Sequence, residues 1–212
     1  GVKAMVDAVD VPVTVKHRVG IDKEESYAFV RDFVGTVADA GCRVFIVHAR
    51  NAWLKGLSPK ENREIPPLRY ERVYQLKRDF PHLTIVLNGG VTTDEQIAEH
   101  LRHVDGVMLG REAYHRPWMM SGWDARFLGG APNPITPDEV EAAMVAYMQR
   151  ELVEDGTPWS AIARHMLGLH HGRRGARLWR QVWSDHKLKP LPAPEVAALA
   201  RAHLASAAMA LA

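Results

Sequence analysis

What this chain of 212 residues has little of narrows its reading at once. It holds a single cysteine, Cys42, so an internal disulfide and any cysteine-based zinc site are excluded, which fits a reducing cytoplasm. No apolar run approaches the roughly 18 residues that cross a bilayer. The opening GVKAMVDAVD carries acids and lacks a hydrophobic stretch, so it does not read as a signal peptide. The net charge is only +2, too small to argue by itself for a nucleic-acid partner. There is no GxGxxG turn of the kind that binds dinucleotides in a Rossmann domain.

What is present reads first as an ordinary soluble composition, 47% hydrophobic and 25% charged, long enough for one large domain or two unequal ones. The organising stretch is Val86 to Arg111, VLNGGVTTDEQIAEHLRHVDGVMLGR. Thr84 to Leu87 is a β-branched run that stops at Asn88-Gly89-Gly90. Thr92, Thr93 or Asp94 can then cap a helix carrying Ile97 and Leu101. Gly106 to Leu109 is a second apolar run, ending at Gly110-Arg111. Glycines after strands let bare backbone N–H groups approach a ligand, and two such turns in successive units with an arginine beside them predict a phosphate cradle.

The units before it follow the same alternation. The chain opens on a helix remnant, Val2 to Val9, with neither an initiator methionine nor a preceding strand, and is expected to be cut from something longer. Val11 to Lys16 reads as a strand running into Lys16-His17-Arg18, with an amphipathic helix from about Ser26 to Ala40. Arg43 to His48 is the next strand, followed by a long loop, Asn51 to Pro67, and a helix from Tyr70 to Arg78. Strands alternating with helices predict a parallel sheet whose working residues lie at the carboxyl ends of the strands. A stretch rich in Gly, Pro and Asn then separates this region from four helices, 137–154, 158–171, 175–186 and 193–211. The expected division is 1–122 for the α/β part, 123–137 for a linker and 138–212 for a helical bundle.

Lys16 at a strand's end is a candidate Schiff-base nucleophile, base, or fixed positive charge facing an anionic cofactor, or else one half of a structural salt bridge. His48 admits a catalytic reading or that of a satisfied rim histidine. Cys42 lies six residues before His48, roughly 20 Å from the rim at about 3.3 Å per residue, and reads as a small core residue. From Arg164 to Lys189 there are seven Lys or Arg against the one acid Asp185. Arg173, Arg177 and Arg180 at spacings of four and three share a helix face, while Trp179 and Trp183 pack elsewhere on it. Lys55, Lys60 and Arg63 in the long loop, beside Trp53, add a basic rim with an aromatic that can stack on a base. A phosphate cradle, a basic rim and a basic helical appendage together suggest a large RNA as substrate.

Five motifs in order then match a known family: VTVKHRVG (Val13 to Gly20), IVHARNAWLKGLSPKENREIPPL (Ile46 to Leu68), LNGGV (Leu87 to Val91), GVMLGREAY (Gly106 to Tyr114) and RHMLGLHHG (Arg164 to Gly172). They resemble the bacterial tRNA-dihydrouridine synthases, most closely the A-type subgroup. The resemblance implies the second half of a (β/α)8 TIM barrel followed by an all-α helical tRNA-binding domain, monomeric when full-length. It implies an FMN enzyme that uses NADPH to reduce the C5–C6 double bond of uridines in the tRNA D-loop. Lys16 and His48 would contact the isoalloxazine ring; Asn88, Gly89, Gly90, Gly110 and Arg111 would hold the ribityl phosphate; Lys60, Arg63, Arg177 and Arg180 would touch tRNA. The family's flavin strand and its Asn-x-Gly-Cys-Pro motif, which carries the cysteine that protonates uridine C5, are absent here, so no catalytic residue is expected in this chain. Two other readings stay open on the residues alone: an FMN-dependent oxidoreductase of a small molecule, and a non-catalytic RNA-binding fragment.

Overall fold

The computed structural model describes residues 1–209; the end of the last expected helix, at Leu211, lies outside them. The chain divides into two compact units, Gly1–Leu109 and Gly110–Ala212. The break therefore falls after Leu109 rather than near residue 122.

The first unit runs α1 (Val2–Ala8), β1 (Thr14–Arg18), α2 (Tyr27–Asp39), β2 (Val44–His48), a single 3-10 turn (Glu61–Arg63), α3 (Tyr70–Asp79), β3 (Thr84–Asn88), α4 (Asp94–His100) and β4 (Gly106–Met108). Its four strands form one parallel sheet in the order β1-β2-β3-β4. The helices start where side chains can take up their orphan N–H groups. The Ser26 hydroxyl accepts from the Phe29 N–H at the head of α2, and Thr93 with Gln96 makes a reciprocal capping box on α4. The expected strand from Val11 begins three residues late, because Pro12 has no N–H for the ladder. Lys16 consequently sits in the middle of β1, not at its end.

Alternation assigns the sheet two unlike faces. Phe45 and Val47 of β2 and Ile85 and Leu87 of β3 are fully buried, as are Val34 of α2 and Val73 and Leu76 of α3. Each such side chain contributes about 1.5–3 kcal/mol relative to exposure. His17 belongs to this buried face, its ring 5.0 Å from that of Phe33. The other face carries Thr14, Lys16, Val44, Ile46, Thr84, Val86 and Met108, all partly or well exposed.

The second unit is helical: α5 (Arg111–His115), a 3-10 segment (Pro117–Gly122), α6 (Trp123–Phe127), α7 (Pro137–Asp155), α8 (Trp159–Ala163), α9 (Ala176–Ser184), a 3-10 turn (His186–Leu188) and α10 (Ala193–Met209). Residues 123–137, expected as linker, thus include α6. Thr136 and Glu139 form a capping box, Pro137 occupies the first turn, and Gly156 at φ 68° closes α7, a start and stop that the sequence spells out. Val145, Met148, Trp159, Trp179, Trp183 and Val196 pack into one core. The helix expected over 158–171 is only five residues long. Beyond Ala163 the chain proceeds by tight turns, with His165, Met166, Leu169, His171 and Arg173 each donating three residues back, until Gly172 and Gly175 take left-handed φ of 81° and 79°. No helix among the described residues is long and apolar enough to cross a membrane.

Candidate cofactor and nucleic-acid sites

Three of the predicted cofactor residues, Lys16, His48 and Asn88, share one face of the sheet, with Lys16 exposed, Asn88 half-buried and His48 buried. Parallel register aligns Lys16 with Ile46, Ile46 with Val86 and Val86 with Gly106 in one row; the next row is Arg18, His48, Asn88 and Met108. Lys16, His48 and Asn88 are therefore on one face in adjacent rows, on three neighbouring strands about 4.8 Å apart. Asn88 spends one amide N–H on the Met108 carbonyl at 2.8 Å, which leaves its Oδ1 and second N–H available.

Gly89 and Gly90 follow directly from β3, with φ of 113° and 72°, conformations that L side chains resist. A Cβ on Gly89 would lie 2.5 Å from His48 Cδ2, and one on Gly90 would lie 2.9 Å from the Tyr70 hydroxyl. Tyr70 donates that hydroxyl to the Gly89 carbonyl at 2.8 Å, so the turn is pinned from α3. Among the described residues neither glycine N–H donates to a backbone acceptor, so the turn presents donors suited to an anion. Gly110 caps α5 and Arg111 is its first residue, both in the second unit. A Cβ at Gly110 would meet nothing within 4 Å, and its φ is −116°, so this glycine is not required by the local backbone.

Charge on the face is one-sided. Burial and then the neighbouring Arg18 lower the proton affinity of Lys16; burial and then Arg50 and Arg63 lower that of Arg18. Cations that depress one another are relieved by an anion between them. Arg18 itself is spoken for: its Nη1 donates to the carbonyls of Asn51 at 2.8 Å and Asn62 at 2.7 Å. Asn62 in turn accepts from the Trp53 N–H and donates to the Trp53 carbonyl, both at 2.8 Å. These bonds shape the long loop, and Trp53 is half-buried instead of fully presented. Lys60 precedes the 3-10 turn of that loop and Arg63 ends it, and both are exposed.

In the second unit Arg177 and Arg180 are exposed on α9, while Ala176, Trp179 and Trp183 are its buried face. Arg173 does not extend their stripe: it precedes the helix and lies 3.5 Å from Asp138. Cys42 is fully buried, its thiol directed at the carbonyls of Val13 and Val44. Sequence reasoning missed the residues that hold the site, namely Tyr70, Arg18 and Asn62. Only the position of Tyr70 just after Pro66-Pro67, at the start of a helix, hints at its role.

The dihydrouridine synthase family profile matches residues 1–204. Curated relatives named tRNA-dihydrouridine(20/20a) synthase include those of Salmonella typhi, 56% identical over 189 residues, covering 89% of this chain and 57% of the relative. That of Escherichia coli strain K12 is 54% identical over 189 residues, covering 89% and 54%. That of Shewanella oneidensis is 51% identical over 199 residues, covering 94% and 59%. The chain thus spans a little over half the length of these relatives.

Proposed function

The chain belongs to the dihydrouridine synthase family, and we propose that it supplies the FMN-binding sheet and part of the tRNA-binding surface of an enzyme that reduces uridine to 5,6-dihydrouridine in the tRNA D-loop. The observation that carries this is the arrangement of Lys16, His48 and Asn88 on one face of the sheet, running into the Gly89-Gly90 turn. In this reading the four strands are the second half of a TIM barrel, and the second unit is the helical tRNA-binding domain. The names of the relatives specify positions 20 and 20a, and we carry that specificity to this protein.

FMN bound there and reduced by NADPH would supply the hydride for the uridine C5–C6 double bond. The chain's own residues bind and tune it. Lys16 would place a positive charge that favours the reduced, anionic flavin, and His48 would contact the same ring system. Asn88 with the backbone of Gly89 and Gly90 would receive the phosphate. Lys60, Arg63, Arg177 and Arg180 hold the tRNA backbone. Cys42 is not the acid that protonates C5, since it is fully buried beneath the sheet's carbonyls.

The test is the visible flavin absorbance of the purified protein after FMN is added and the sample desalted, for the natural sequence and for Lys16→Ala with His48→Ala. Retention by the first and loss by the second is expected. Equal retention by both would reject the sheet face as the flavin site.

A further inference from the structure

Two clefts open on the second unit and share a wall. One, of about 320 Å³, is lined by Tyr114, His115, Arg164, His165, His171 and Arg180 with Leu167 and Gly168. The other, of about 430 Å³, takes in Arg164, His186 and Lys189, with Asp185 as its one acid. Arg164 and Leu167 line both, so the two clefts adjoin as a bipartite groove with Arg164 between them.

The local chemistry holds Arg164 in place without consuming it. Its Nε donates to His165 Nε2 at 3.1 Å. That bond requires an unprotonated Nε2, so the ring carries its hydrogen on Nδ1 and donates it to the Tyr114 hydroxyl at 2.9 Å. Both Nη groups of Arg164 remain as donors. No described carboxylate pairs with Arg164 or Arg180. Asp185 is engaged at its own helix end, accepting the Lys187 N–H at 2.9 Å. The wall is firm, because a Cβ on Gly168 would clash with the His115 carbonyl, so the turn segment and α5 touch backbone to backbone.

Guanidinium, imidazole, phenol and ammonium donors therefore line an open track, on both sides of one arginine. A lone small anion would engage one side only. We propose that this groove binds the sugar–phosphate backbone of the RNA substrate, with Arg164 contacting phosphates in both halves. The inference rests on the reading that the protein acts on tRNA; the groove shares Arg180 with that reading and adds to it Arg164 and a surface that Arg177, Lys60 and Arg63 do not line.

Arg164→Ala, Arg164→Lys and Arg177→Ala, with Lys3→Ala in α1 as control, are compared for binding of a tRNA transcript over a range of salt. Arg164 is exposed, so thermal midpoints should not move. Arg164→Ala is expected to weaken binding about tenfold and to lower the slope of log affinity against log salt by about one, while Arg164→Lys keeps most of the slope. An unchanged affinity and slope in Arg164→Ala, with Arg177→Ala weakened, would overturn the groove and leave the RNA reading standing. If neither arginine matters, the tRNA reading fails and the groove fails with it. Pyrophosphate binding that depends on Arg164 while tRNA binding does not would assign the groove to a small anion and also overturn the proposal.

Discussion

The imidazole of His48 fills the space that a side chain on Gly89 would need, with Cδ2 2.5 Å and Nε2 2.9 Å from where a Cβ would stand. The glycine and the histidine thus specify each other: the turn can approach a ligand because residue 89 has no side chain, and the ring is seated because the turn leaves it room.

Gly89→Ala is therefore expected to be costly twice over. The φ of 113° alone costs about 1–3 kcal/mol for a residue with a Cβ, and the new methyl displaces His48. At this chain length about 1 kcal/mol lowers a thermal midpoint by roughly 2–4 °C. A midpoint several degrees lower with FMN retention lost is the expected pair of results; an alanine variant that melts and binds FMN like the parent would disprove the relationship.

Tyr70→Phe separates support from packing. The ring of Tyr70 lies 4.5 Å from that of His100 and stays there in the variant, whereas the bond to the Gly89 carbonyl disappears. Loss of one such bond is worth about 1 kcal/mol. FMN affinity, followed by quenching of flavin fluorescence, should fall several-fold while the thermal midpoint falls by only about 2–4 °C. An unaltered affinity would show that the turn needs no tether from α3.

That tether marks where the sequence stops being informative. β2, β3, α2 and α3 were readable because their apolar periods and flanking turns are local, and α4 and α7 announce themselves by Thr93 with Gln96 and Thr136 with Glu139. Lys16, His48 and Asn88 were legible as strand residues, but their rows depend on register, which no single strand encodes. The bonds from Tyr70 to Gly89 and from Arg18 to Asn62 join residues 19 and 44 positions apart, and nothing in the spacing of either pair signals them. The helix expected across 158–171 failed for a physical reason also beyond local reading. Gly168 is pressed against the His115 carbonyl, a contact across 53 positions that no local spacing signals.

Asp105 gives a pH prediction in the first unit. It lies 2.9 Å from Lys77 and accepts the Ile85 N–H at 2.8 Å. Burial raises its proton affinity, but the Ile85 N–H and Lys77 outweigh that and hold the carboxyl below its ordinary value of 3.8. A depressed folded pKa means stability that is present above the unfolded value and lost as pH falls through the folded one. Asp105→Asn should accordingly be less stable than the parent near neutral pH, and denaturant titrations should show that deficit closing as the pH is taken below 3.8. A deficit independent of pH would exclude the carboxylate as its source.

Glu141 gives the opposite sign in the second unit. It is fully buried, and its Oε1 accepts the indole N–H groups of both Trp179 at 2.9 Å and Trp183 at 3.0 Å, while Oε2 has no hydrogen-bond partner and sits 4.0 Å from Arg201. Through the two indoles this carboxyl sets the rotation of α9, whose outer face bears Arg177 and Arg180. Glu141→Ala would leave both indoles unpaired in the core, at about 1–3 kcal/mol each. Glu141→Gln keeps the acceptor and removes the charge. Burial pushes the Glu141 carboxyl up, and the indoles and Arg201 offset only part of it. A raised folded pKa means stability that is complete below the ordinary value of 4.5 and is lost as pH rises through the folded one. The glutamine variant does not titrate, so its stability relative to the parent should rise with pH from near parity in acid. A Gln-minus-Glu difference that stays flat from about pH 4 to about pH 8 would show that the carboxyl does not carry the burial penalty its surroundings imply.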